Sequence, residues 1–72
     1  MYILVINCGS SSIKADVIDS VAQSTIVSFS AERIPASPVL QLNKNNIAYN
    51  GEPTIDAILT VGLQAIKDAL ED

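Results

Sequence analysis

Ser12-Ile13-Lys14-Ala15-Asp16-Val17-Ile18-Asp19 sets apolar and polar side chains in alternation. Ile13, Ala15 and Val17 fall on one face, and Ser12, Lys14 and Asp16 on the other. Successive side chains of a strand point to opposite faces, so the alternation predicts a half-buried strand. Upstream, Tyr2 to Asn7 is a short apolar run rich in Ile and Val, closed by a polar residue and then Gly9. It predicts a strand buried on both faces. Gly9 and the serines after it supply a short loop between the two runs, which suits a hairpin.

Working downstream, Asp19 to Gln23 reads as a turn. Ser24 to Glu32 alternates again, with Val27, Phe29 and Ala31 opposite Ser28, Ser30 and Glu32. A third strand makes an antiparallel meander. Pro35 and Pro38 break the pattern and predict a loop or a poor edge strand. Val39 to Leu42 and Ile47 to Tyr49 flank Asn43-Lys44-Asn45-Asn46, a second and smaller hairpin, and Asn50-Gly51 is a further turn signal. From Pro53 the period changes. Ile55, Ile58, Leu59, Leu63, Ile66 and Leu70 recur at three- and four-residue steps, with Asp56, Gln64, Lys67, Asp68 and Glu71 between them. This is an amphipathic helix, with Pro53 in its first turn or just before it. Gly62 lies near the apolar stripe and marks close packing. The expected fold class is α+β: an antiparallel β-meander plus hairpin, followed by one amphipathic helix.

The chain has 72 residues, which allows one small domain. Domains of this size are marginal unless something staples them. One cysteine and no histidine rule out an internal disulfide and a Cys/His zinc site. Yet 49% of the residues are hydrophobic and only 17% are charged, at a mean hydropathy of +0.35. That surplus predicts apolar surface that packs against something further. The formal net charge of −4 disfavours duplex nucleic acid and anionic membranes as partners. The first apolar run is too short to span a bilayer and has no basic region before it, so a cytoplasmic protein is expected.

Asn7-Cys8-Gly9-Ser10-Ser11-Ser12-Ile13-Lys14 carries the chemistry. A glycine and three serines in a tight turn offer backbone N–H groups and hydroxyls that can cradle phosphate oxygens. Lys14 shares a strand face with Ser12 and brings a mobile positive charge beside the turn. Asn7 closes the first strand at the same mouth. Its amide oxygen can accept from a water on Mg²⁺, an ion that usually keeps several waters. The spacing is not a Walker A loop, because the serines lead into a strand and not a helix. Taken alone, the same residues also describe an ordinary serine-rich hairpin with a solvated lysine.

The run Ile3-Leu4-Val5-Ile6-Asn7-Cys8-Gly9-Ser10-Ser11-Ser12-Ile13-Lys14 closely resembles the amino-terminal motif of the acetate kinase family, V-L-V-x-N-C-G-S-S-S-[LI]-K, and Val17-Ile18-Asp19 continues the similarity. Beyond Ser20 the resemblance lies in the arrangement of elements. It implies that residues 1–72 are the amino-terminal part of an acetate kinase-like nucleotide-binding domain. Such a segment is a ribonuclease H-like half-domain of the sugar kinase, heat-shock chaperone and actin superfamily, an incomplete actin-like ATPase domain. It implies ATP phosphate binding by Gly9, Ser10, Ser11, Ser12 and Lys14, and Mg²⁺ associated with Asn7. An asparagine at position 7, where many superfamily members have aspartate, favours the acetate kinase branch. Ala15-Asp16 departs from the family, which often has a large apolar residue and then a small or polar one.

The implied reaction transfers the γ-phosphoryl group of ATP to acetate, giving acetyl phosphate and ADP, reversibly. The implied partners are ATP or ADP, acetate, the remainder of a kinase chain and a second subunit. The segment alone is expected to be inactive, since phosphoryl transfer needs several charged elements at once. A non-catalytic kinase fragment or interaction module stays open, as does a propionate or butyrate kinase.

Other residues read more simply. Cys8 is expected to be a small buried hydrophobe. Asp16 is a solvated strand charge or a partner of Lys14. Asp19 is a turn residue. Tyr2, Phe29 and Tyr49 are packing residues.

Overall fold

In a computed structural model that describes residues 1–71, the chain forms five strands and one helix. The strands are β1 (Tyr2–Cys8), β2 (Ile13–Asp19), β3 (Ser24–Glu32), β4 (Val39–Leu42) and β5 (Asn45–Ile47), and the helix is α1 (Ile55–Leu70). Every strand pairs antiparallel with its neighbour in sequence, in the order β1-β2-β3-β4-β5. The protein is a two-layer α+β domain, with α1 laid on β2 and β3.

The alternation read in β2 and β3 decides which face is covered. Ile13, Ala15 and Val17 from β2, and Val27, Phe29 and Ala31 from β3, are buried beneath α1 with Leu40. The helix meets them with Ile58, Gly62 and Ile66, one residue every four and therefore one stripe. Gly62 sits on the ring of Phe29, so closely that a β-carbon there would collide with three ring atoms. A glycine is needed for this approach, not for an unusual φ. Thr54 caps α1: its Oγ1 accepts from the Ala57 N–H at 3.2 Å. Asp56 in the first turn and Lys67 in the last complement the helix dipole. Pro53 stands just before the cap. No helix of the described residues is long and apolar enough to cross a membrane.

Three expectations need correction. β1 is not buried on both faces. It is an edge strand with β2 as its neighbour, and Tyr2 through Ile6 are all 43–59% exposed. The reason is the position of α1, which covers β2 and β3 and stops short of β1. An apolar groove of about 310 Å³ remains between Leu4 on β1 and Leu63, Ile66 and Leu70 on α1. Cys8, at the end of the same strand, is exposed and not a buried hydrophobe. Tyr2 is likewise exposed, whereas Phe29 is fully buried and Tyr49 packs on the rim of the core.

The second hairpin is also tighter than expected. Its strands are Val39–Leu42 and Asn45–Ile47, joined by Asn43-Lys44 alone, and Tyr49 lies outside it. Both turn residues have positive φ, 51° and 69°. Two left-handed residues form the type I′ turn whose twist matches a hairpin. Asparagine tolerates that region and lysine pays for it in backbone strain, since Cβ crowds the carbonyl. Lys44→Gly should therefore raise stability, by about 1 kcal/mol. A urea titration checks this; an unchanged or lower midpoint contradicts the strain assigned to Lys44.

Candidate functional site

The hairpin between β1 and β2 is built by its register. Cys8 pairs with Ile13 and Asn7 with Lys14, so Gly9 to Ser12 form the connecting turn. Gly9 N–H donates to the Ser12 carbonyl at 2.8 Å and closes it. A β-carbon on Gly9 would lie 3.1 Å from Ser12 Oγ, so the glycine lets that hydroxyl tuck in against the turn. Gly9 therefore serves the site by shape. Its own amide is taken, and the amides left for a ligand among the described residues are those of Ser10, Ser11 and Ser12.

Residues directly opposite one another in a sheet share a face. Asn7, Lys14 and Ser30 form one cross-strand row, and Val5, Asp16 and Ser28 the next. Both rows lie on the face away from α1, because the alternate residues Ile13, Ala15 and Val17 fill the core. Asn7, Gly9, Ser12, Ile13, Lys14, Ala31 and Glu32 line a polar cavity of about 300 Å³ at the end of the sheet. Of the residues read from sequence, the cavity brings together Asn7, Gly9, Ser12 and Lys14. Ser10 and Ser11 stand in the turn outside that lining, and the Ser11 carbonyl instead accepts from the Ile34 N–H at 2.9 Å.

Lys14 is open enough to meet a ligand. Its side chain is 64% exposed and its Nζ lies 3.9 Å from Asp16 Oδ2. An ion pair this open contributes little and can be exchanged for a stronger anion. Asp16 is held by a second contact, accepting from Ser28 Oγ at 2.7 Å. Asp19 is the turn residue expected, its Oδ1 accepting from the Val21 and Ala22 N–H groups at 2.9 and 3.3 Å.

Glu32 is the residue that sequence reading missed. Its face was legible from the alternation of β3. Its arrival at the turn was not, because that depends on Ile13 pairing with Ala31.

Comparison with family models, curated proteins and solved structures finds no match to this chain.

A cavity of about 300 Å³ is at the small end for ligand sites, large enough for a phosphate end and too small for a whole nucleotide. The Ser12 amide and hydroxyl, together with the exposed Lys14 ammonium, suit phosphate oxygens. The donors beside them are hard oxygens, those of Asn7, Ser12 and Glu32, which fit Mg²⁺ better than a softer metal. Among the described residues, no group of three or more His, Cys, Asp or Glu side chains gathers to hold a metal.

Proposed function

We propose that this chain is the amino-terminal, phosphate-binding part of an acetate kinase-type enzyme. In the whole enzyme the γ-phosphoryl group of ATP passes to acetate, giving acetyl phosphate and ADP, and the reverse. The observation that carries the reading is the convergence of Asn7, Gly9, Ser12 and Lys14 on one small polar cavity at the first hairpin. These four positions belong to the stretch that resembles the family motif.

Each group has a role that its chemistry supports. The amide and hydroxyl of Ser12 orient phosphate oxygens. Lys14 leaves Asp16 to neutralise charge on the phosphate, which grows or shifts as the bond to the leaving oxygen lengthens. Asn7 accepts a hydrogen bond from the ion's water shell. Mg²⁺, when bound, supplies charge neutralisation to the phosphate chain. Nothing among these residues can bind acetate, hold adenosine or position the acceptor. The segment is thus one wall of a site, an actin-like or ribonuclease H-like half whose remaining walls come from more chain. The uncovered β1 supports this, since a strand apolar on both faces is suited to a central place in a sheet.

The experiment is calorimetric titration of the folded chain with Mg-ATP, beside Lys14→Ala. Weak binding is expected for the native sequence and a loss of at least about tenfold for the variant, the usual scale for removing one charge-assisted phosphate contact. Equal binding by both proteins would remove Lys14 from the site. No binding by a folded native chain favours the second reading, a non-catalytic interaction module. That reading rests on the apolar groove and free edge at β1. The acyl group, whether acetate, propionate or butyrate, is read by none of the residues above.

A further inference from the structure

β3 ends with a glutamate, Glu32, at the phosphate mouth. Glu32 lines the same cavity as Asn7, Ser12 and Lys14. Its backbone is fixed on both sides. Glu32 pairs with Val39 across β4, and two residues later the Ile34 N–H is bonded to the Ser11 carbonyl of the turn. Between them Arg33 takes φ 61°, a left-handed conformation that a bulky residue seldom adopts. The chain thus swings away immediately after Glu32 and leaves that residue at the rim. The two ion pairs of the described residues, Lys14–Asp16 and Lys67–Glu71, do not include it.

A carboxylate is an odd wall for a phosphate cradle, because it repels the ligand's own charge. Lys14 and Glu32 both line the cavity and their formal charges are opposite, while Asp16 already draws on Lys14 at 3.9 Å. A bare polyphosphate meets no net attraction from these side chains. A hydrated divalent cation reverses the sign. Its waters donate to carboxylate and amide oxygens alike, and Mg²⁺ seldom gives those waters up.

We infer that Glu32 makes phosphate capture at this mouth conditional on a divalent cation, by accepting from the cation's waters beside Asn7 and by repelling phosphate that arrives without one. This rests on the phosphate reading of the cavity. It adds a selection: the site takes the metal complex and discriminates against free nucleotide and free inorganic phosphate.

The test is titration of the native chain and Glu32→Gln with ATP, once in excess Mg²⁺ and once in EDTA. The native chain should bind the metal complex about tenfold more tightly than metal-free ATP, the scale of one unscreened like charge. Glu32→Gln should narrow that ratio to about threefold or less, mainly by binding metal-free ATP more tightly. If Glu32→Gln binds Mg-ATP and keeps the native ratio, the role of Glu32 is overturned while the phosphate reading stands. If the folded native chain binds ATP in neither condition, both fall. Should the variant not fold, Mn²⁺ with ATP on the native chain gives a second readout. Paramagnetic broadening of the Glu32 and Asn7 side-chain resonances supports the inference; broadening that reaches Asn7 and spares Glu32 overturns it.

Discussion

Phe29→Ala should leave the chain largely unfolded at room temperature. The ring is wholly buried at the centre of the β2–β3 face, and it is the only phenylalanine in the sequence. Removing it forfeits the transfer energy of the ring and opens a cavity under α1, together about 3–5 kcal/mol. A domain of this size has little more stability than that to lose. Its neighbour gives the sharper form of the test. Gly62 is a glycine because the ring occupies the space of a β-carbon. Gly62→Ala alone should destabilise by about 1–3 kcal/mol through overpacking, less what alanine returns in helix propensity. In the double variant that collision is gone, so the two costs should not add. Circular dichroism melts of the four proteins decide this. Simple additivity would mean that α1 does not rest on Phe29 as described.

The second large effect concerns association and not stability. β1 exposes apolar side chains on both faces and a free backbone edge, and such edges template pairing with other chains. The native chain should therefore self-associate. Val5→Lys should raise the concentration needed for association by at least about tenfold, because a desolvated lysine at a strand edge opposes docking. The same change should leave the melting temperature nearly unaltered. Val5 is 46% exposed, and the residue opposite it on β2 is Asp16, so the new charge meets an opposite one. Sedimentation velocity over a concentration series reads the result. Native protein that stays monomeric at high concentration, or a variant that associates as readily, would show that β1 is not the contact.

Much of this fold could be read directly from residue order. β3 was legible in its bounds, because Val27 to Glu32 alternates and the prolines follow, although Ile26 interrupts the pattern where the register with β2 shifts. α1 was legible because its stripe repeats at helical steps, although its cap, Thr54, was passed over in favour of Pro53. β1 shows where such reading stops. A run apolar at every position says that both faces want cover, yet it cannot say what supplies the cover. Within this chain α1 crosses β2 and β3 instead. The hairpin turn was overestimated for a related reason: four polar residues in a row look alike, while backbone φ alone separates Asn43 and Lys44 from the strand that follows. At the candidate site, Asn7, Gly9, Ser12 and Lys14 were legible because they are close in sequence. Glu32 was not, because strand register brings it there from far along the chain.

The offset of α1 toward β3 also grades the molecule by how readily its backbone opens. Amides of β2 and β3 are locked between neighbouring strands and roofed by the helix, so they should exchange with solvent deuterium mainly through global unfolding. β1 has a partner on one side and no roof, so its amides should exchange through local fraying, well ahead of the rest. The strand that carries Asn7 to the polar cavity of the first hairpin would then be the first part of the chain to let go, and anything that docks along its edge should slow exchange at Asn7 as well as at the contact itself.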